Sequence, residues 1–246
     1  TISLCVHVDV SSDLKKTHYV SGFFSDFTIR DSAKVYRTED LGLLINLRAD
    51  TTYARIQSGD LIVKVDASGH YEHLIIQLTT LSDSAMAQYD QKIIDQPALR
   101  RLLPVMKLHV ESKTDNPIVT LLKSGNNIDF KDMLFDMTTS PETGINGNGH
   151  IYSLVYDGTR LDTINFRLTQ RKEHLSFCGQ IRNNKRNPQF VFNALFDGVL
   201  QQRGATMGVR YFDSENKLGA RIGAQAEMVD SGIRLHLVPD RPTLGY

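Results

Sequence analysis

The sequence predicts an all-β, mainly antiparallel fold, and three observations predict it. Apolar and polar residues alternate at period two in segment after segment. Turn-forming pairs separate the segments, and helical periodicity is confined to a short stretch in the middle of the chain. Alternation of this kind marks strands with one dry and one wet face, which is the pattern of antiparallel sheets.

In chain order, Ile2, Leu4, Val6, Val8 and Val10 share one parity, Phe23, Phe27 and Ile29 another, and Leu41, Leu43, Ile45 and Leu47 a third. Leu61, Val63 and Val65 follow, and after the Ser68-Gly69 turn signal come Leu74, Ile76 and Leu78. One or two short helices are expected near residues 95–124. Asp95 is placed to cap the first, with Pro97 in its first turn, Leu99, Leu102 and Leu103 at helical spacing, and Pro104 to end it. Asp115 and Asn116 before Pro117, then Ile118, Leu121 and Leu122, then Gly125, describe the second. A strand over Met106 to Val110 lies between them, and both leucine stripes are expected to pack over an edge or end of the sheet.

The second half alternates more cleanly. Ile164, Phe166 and Leu168 are followed by Leu175, Phe177 and Ile181, by Phe190, Phe192, Ala194 and Phe196, and by Ala205, Met207, Val209 and Tyr211. Leu218 to Met228 at every second residue, then Ile233, Leu235 and Leu237, complete the series, while Arg167, Gln180, Arg210, Arg221, Gln225 and Arg234 fall on the wet parity. Hairpin turns are expected at Asn146-Gly147-Asn148-Gly149, Asp157-Gly158, Asp213 to Asn216 and Asp230 to Gly232, whose residues tolerate positive φ. Connections this short predict a meander. The 246 residues read as one β-rich segment of a longer chain, divisible into N-terminal strands (1–81), a strand with short helices (82–125) and a β-meander (126–246).

Twenty-eight basic residues balance 28 acidic ones, so the clustered positive charge of a nucleic-acid binder is not expected. No window approaches 18 consecutive apolar residues, so no helical membrane span is predicted. Cys5 and Cys178 both fall on the wet parity, and spacing alone leaves open whether they pair.

The search for chemistry yields little. His70 and His73 flank a turn signal with no third ligand at suitable spacing, which predicts no metal site. Ser12 to Lys15 matches a Ser-x-x-Lys pattern without its partner motifs. Asp129 with Asp132, and Asp213 with Glu215, sit where solvated turn carboxylates are the default. The expectation is a protein with neither catalysis nor cofactor.

What does require explanation is the length of the one-sided apolar meander, because a dry sheet face has to be covered. Pattern alone leaves two solutions open: a sheet closed on itself as barrel or sandwich, as in an adhesin-like structural domain, or an open trough holding something apolar. If the trough is open, Phe166, Leu168, Phe177, Ile181, Phe192, Phe196, Met207, Val209, Ile222, Met228 and Leu235 are the candidates to line it.

Leu102-Leu103-Pro104, Asp115-Asn116-Pro117, Thr139-Ser140-Pro141-Glu142-Thr143-Gly144, Asp162-Thr163-Ile164 and the closing Arg241-Pro242-Thr243-Leu244-Gly245-Tyr246, in that order, resemble a central portion of the large TamB-like proteins of the diderm bacterial envelope. The resemblance covers most of the chain, best from about Leu99 onward. It implies an elongated curled sheet with an apolar inner groove, part of a periplasmic body that is anchored in the inner membrane at its amino end and meets an Omp85-type outer-membrane barrel at its carboxyl end. Neither end falls within these residues. The function it implies is shielding phospholipid or other acyl chains in transit between the membranes. The rival implication is a scaffold for outer-membrane protein translocation and assembly.

Overall fold

The structure, a computed structural model, describes residues 2–13, 17–30, 35–37, 40–116, 119–120, 122–123, 127–171, 174–230 and 232–238. Pro117, Ile118, Leu121 and Gly125 of the second expected helix, Lys15, and the Arg241 to Tyr246 motif lie outside the described residues.

The protein is mostly antiparallel β-sheet. Its strands are β1 (Ile2–Ser12), β2 (His18–Arg30), β3 (Val35–Arg37), β4 (Leu41–Leu47), β5 (Thr51–Ser58), β6 (Leu61–Ser68), β7 (Met106–Ser112), β8 (Ile128–Asp129), β9 (Asp132–Ser140), β10 (Gly144–Tyr156), β11 (Thr159–Arg171), β12 (His174–Asn183), β13 (Phe192–Gln201), β14 (Gly204–Phe212), β15 (Leu218–Val229) and β16 (Gly232–Val238). They hydrogen-bond in chain order, β1-β2-β4-β5-β6-β7-β9-β10-β11-β12-β13-β14-β15-β16, with β3 beside β2 and β8 beside β10. The meander expected from the short connections is therefore present. Helix α1 (Tyr71–Asp90) and helix α2 (Gln96–Arg101) interrupt it between β6 and β7.

The chain forms two compact units, and these are interleaved rather than consecutive: Thr1–Ile75, Met106–Asp136 and Ile151–Thr159 make the first, and Ile76–Val105, Met137–His150 and Arg160–Tyr246 the second. In the first unit the register sets Val8 opposite Gly22, Gly22 opposite Leu43, Leu43 opposite Ile56, Ile56 opposite Val63 and Val63 opposite Val110. The next row runs Val10, Val20, Ile45, Ala54, Val65, Leu108. Cross-strand neighbours point to the same side, so these rows are one apolar face. One end of this unit is tied by Asp60 in the β5–β6 turn. Its carboxylate accepts from the backbone N–H of Lys113 (3.1 Å) and Asp115 (2.8 Å) and from Asn116 Nδ2 (2.6 Å). Asn116 is buried and accepts through Oδ1 from Val119 N–H, capping the helical residues Val119, Thr120, Leu122 and Lys123.

In the second unit Asp95 accepts from the Ala98 N–H at 2.9 Å with Pro97 in the first turn, as the capping pattern predicts. Helix α2 is fastened by side chains. Arg100 Nε donates to the Pro141 carbonyl at 2.8 Å, and Thr139 Oγ1 donates to the Pro104 carbonyl at 2.6 Å. Leu103 and Pro104 are buried beside this joint.

Four expectations need correction. Leu74, Ile76 and Leu78 lie in α1, a 20-residue helix that begins well before the region assigned to helix. Ser68-Gly69 leads into that helix and is not a hairpin. The Asn146-Gly147-Asn148-Gly149 tract lies inside β10, and the turn before that strand takes residues 141–143 and closes on Gly144, the first residue of β10, whose φ is +74°. In β2 the apolar row is carried by Val20, Gly22 and Phe24, while Phe23 lies opposite His7 on the other face and is exposed. A register shift between Ser3 and Cys5 moves the parity, so that Ile29 again lies opposite Ile2. The Asp157-Gly158 turn (φ +45° and +78°) and the Asp213 to Asn216 turn (Asn216 φ +60°) occur where expected.

Candidate functional site

The site of interest is the apolar face of β11 to β16, whose rows from Ile164 onward lie in the second unit. Register builds it row by row. Ile164, Ile181, Ala194, Tyr211 and Ala220 form one row, and Phe166, Gly179, Phe196, Val209 and Ile222 the next. Leu168, Phe177, Gly198, Met207, Ala224 and Leu237 form a third. Phe192 lies opposite Asn183, Leu235 opposite Ala226, and Met228 opposite Ile233. All eleven candidate residues thus fall on one face of contiguous strands.

Two features shape this face. The first is pairing of rings with glycines: a Cβ at Gly179 would collide with the Phe196 ring, and one at Gly198 with the Phe177 ring. Each phenyl lies across a neighbouring strand at the one residue type that leaves room for it. Phe192 stacks on Tyr211 with centroids 5.9 Å apart. The second feature is exposure. Among the eleven only Met228 is buried, whereas Ile222 is 51% and Leu235 73% exposed. The face is not a closed core.

Side-chain amides finish both ends of the strands. Gln96, buried just after its helix cap, donates from Nε2 to the Leu200 carbonyl (2.8 Å) and accepts at Oε1 from the Leu175 N–H (2.7 Å). It supplies the rung that the β12–β13 ladder lacks beyond Ser176 and Val199. At the opposite end Asn183 accepts from the Asp162 N–H and donates to the Arg160 carbonyl, and Asn187 Nδ2 donates to Asp162 Oδ1. No sequence pattern marked Gln96 or Asn183, because their role is set by partners 79 to 104 and 21 to 23 positions away.

The polar side of the same strands carries a cavity of about 750 Å³. Its lining includes Asp197, Gly208, Gly223 and Val238, which are successive cross-strand partners on the face opposite the apolar rows. Its apolar-parity members, such as Val209 and Ile222, are chain neighbours of those residues, and Phe177, whose ring covers Gly198 on the apolar side, is not in the lining. The alternation pattern alone gave no sign of this concavity.

Elsewhere, three of the residues weighed for chemistry make local contacts. Asp213 Oδ1 accepts from the Glu215 and Lys217 N–H groups within its turn, and Asp129 pairs with Lys123 at 2.8 Å. The His70 ring lies 4.4 Å from that of Tyr71, tilted by 44°, at the start of α1. Cys178 lies opposite Asp197 on the polar face, as its parity predicts, and Cys5 is exposed; both are free thiols.

No family model, curated protein or solved structure matches this chain.

Proposed function

We propose that this protein shields lipid acyl chains on an uncovered apolar sheet face, as a periplasmic segment of a TamB-like envelope bridge that carries phospholipid between inner and outer membrane. The observation that supports the reading most directly is the face of β11 to β16, where apolar rows continue strand after strand while side chains such as Ile222 and Leu235 stay half or more exposed. Contiguous apolar surface of this kind marks a place where something apolar docks.

The energetics suit a lipid. An acyl chain of about sixteen carbons in water carries a gross cost of roughly 12 kcal/mol, at about 0.8 kcal/mol per CH₂. Contact with a dry face removes much of it. Dispersion and burial have no direction, so successive similar rows offer no deep well, and a chain is free to shift from one row to the next. No catalytic step, metal or cofactor enters this reading. An inner-membrane anchor and an Omp85-type barrel are its expected partners, reached through other parts of the longer protein.

The test is native mass spectrometry and lipid extraction of the purified protein, with a delipidated sample offered phosphatidylethanolamine vesicles. Co-purified or re-acquired phospholipid is expected, and protein that stays lipid-free in both arms rejects the proposal.

The scaffold reading has one observation in its favour. In β16, Ile233, Leu235 and Leu237 are 68 to 79% exposed, and among the described residues β16 pairs only with β15. An edge of this kind is suited to accept a client strand by β-augmentation. Recovery of bound peptide instead of lipid would favour it.

A further inference from the structure

The second unit holds another cavity, of about 720 Å³, at the strand ends where the β12–β13 loop meets the β14–β15 turn. Residues of both parities line it, Arg182 and Asn193 from the polar side and Phe192 from the apolar side, so it sits at the end of the sheet and not on either face. Three cations border it: Arg182 near the end of β12, and Lys185 and Arg186 in the loop that follows. All three are exposed, and among the described residues their side chains make no ion pair and no hydrogen bond. The one carboxylate in the lining is Asp213, whose Oδ1 is taken by the Glu215 and Lys217 N–H groups of its own turn. Asp162 does not neutralise the cations either, since its two oxygens accept from the Asn184 N–H (2.8 Å) and from Asn187 Nδ2 (3.0 Å).

Those amide contacts fix the loop. Asn187 is buried and accepts through Oδ1 from the Gln189 N–H at 2.9 Å, and Asn184 Oδ1 accepts from the Arg186 N–H at 2.8 Å. The backbone that carries Lys185 and Arg186 is therefore held by side-chain amides, while the charged groups themselves are left uncommitted. An anion bound there meets cations whose loop is already ordered, which lowers the entropic cost of binding. A guanidinium also presents several donors in one plane, matched to phosphate oxygens. Phe192 connects the cavity to the apolar face: it lines the one and stacks on Tyr211, a member of an apolar row of the other. Phe190, 47% exposed and with its ring 5.5 Å from that of Phe192, extends the aromatic surface beside it. A cationic border next to an apolar doorway matches an amphiphile with an anionic head, and the volume lies within the range of small-molecule sites, roughly 300 to 1,000 Å³.

We propose that this cavity receives the head group of an anionic phospholipid, its phosphate against Arg182, Lys185 and Arg186 and its chains leading over Phe192 onto the apolar face. The inference rests on the lipid-shielding reading and adds a substrate class to it. Apolar contact has no direction and does not distinguish one head group from another, whereas a set of cations at one end of the face favours a lipid of net negative charge over a zwitterionic one.

The experiment offers delipidated protein phosphatidylglycerol or phosphatidylethanolamine with identical chains, dispersed in a non-ionic detergent, and reads bound lipid by native mass spectrometry, with glycerol 3-phosphate as a soluble competitor. A preference of about tenfold or more for phosphatidylglycerol is expected, as charged hydrogen bonds to the head group imply. K185Q/R186Q together should remove most of that preference and R182Q part of it, with uptake of phosphatidylethanolamine unchanged. R203Q/R234Q removes the same charge as the loop pair from exposed positions outside the cavity and should leave the preference intact. Thermal melting checks the fold of each variant, and R182Q provides a second reading should the loop pair melt early. Equal uptake of the two lipids, or a preference that survives both K185Q/R186Q and R182Q, overturns the head-group site while leaving the apolar face as a lipid path; uptake of neither lipid overturns both. A preference lost equally in R203Q/R234Q reduces the effect to general surface charge and overturns the site. Competition by glycerol 3-phosphate at the concentration at which phosphatidylglycerol saturates identifies a site for soluble phosphate esters and overturns the assignment to lipid.

Discussion

Replacing Ile222 with arginine separates an open apolar face from a closed core, and the structure supplies the magnitude. Complete burial of an isoleucine side chain contributes about 1.5 to 3 kcal/mol. Ile222 is 51% exposed, so roughly half of that, about 1 kcal/mol, is at stake. Arginine recovers part of it by laying its methylene stem along Val209 while its head reaches water. For a protein of this size about 1 kcal/mol lowers Tm by only about 2 to 4 °C. The same arginine in a closed core would be an unpaired buried charge costing about 3 to 5 kcal/mol, enough to unfold a marginal domain. The assay has two arms: calorimetric Tm of the isolated chain, and outer-membrane integrity in cells carrying the substitution in the full-length protein. A Tm within a few degrees of wild type together with a failing envelope and lost lipid uptake is expected. Aggregated protein refutes the open face; a folded variant that still takes up lipid refutes its use as a lipid path. Gln225→Arg, opposite Thr206 on the polar side, should be silent in both arms.

Three further predictions follow from the ends and the surface of the sheets. Burial alone would raise the Asp60 carboxyl, but hydrogen bonds from the Asn116 side chain and the Asp115, Lys113 and Thr114 backbone outweigh it and hold the group below its ordinary value of 3.8. Its stabilising contribution is therefore complete above that value and lost as pH falls through the lower folded value; urea midpoints of wild type and Asp60→Asn should differ near neutral pH and converge in acid, and a constant difference would refute this. Gln96→Ala strands the Leu175 N–H and the Leu200 carbonyl and should cost about 2 to 4 kcal/mol in denaturant unfolding, with faster exchange at Leu175; an unchanged midpoint would show that the rung is dispensable. Gly198→Ala should cost about 1 to 3 kcal/mol and move the Phe177 ring resonances, and Phe177→Leu in the same chain should recover only part of it, because the Thr206 carbonyl obstructs the new Cβ as well.

The sheet was legible because period two assigns each residue to a face without knowledge of its partners. Phe166, Val209 and Ile222 come from three different strands and were grouped by parity alone, and register puts them in one row. Helix α1 was misread for a reason internal to the pattern: Leu74 and Leu78 are four apart, a spacing shared by a strand face and a helix face, so three residues could not separate the periods. The polar Asn-Gly tract read as a turn, yet β10 takes it as strand once Gly144 has supplied the left-handed residue that the preceding turn requires. The face swap in β2 depends on a bulge, and a bulge leaves no mark on composition. The cavity around Arg210 was invisible for a further reason: sequence shows that Arg210 and Arg221 are on the wet side, but only register shows that they are opposite each other.

A sheet with one uncovered apolar face has to find cohesion within its own layer, and the ring-on-glycine pairs show how. Phe196 laid across Gly179 and Phe177 across Gly198 bury ring surface against the neighbouring strands of the same sheet. Packing of this sort needs glycine at specific cross-strand positions, which explains two glycines in the interior of β12 and β13 where they would otherwise weaken a strand. It also flattens the face, since a ring lying over a glycine projects less than one standing between two side chains. The strand ends, where an uncovered layer would fray first, are held by buried amides at Gln96 and Asn183 instead of by apolar mass. Cohesion is thus supplied along the layer and at its ends, and the middle of the apolar face is left available. An apolar occupant of the kind proposed above would add burial there without being required for the fold.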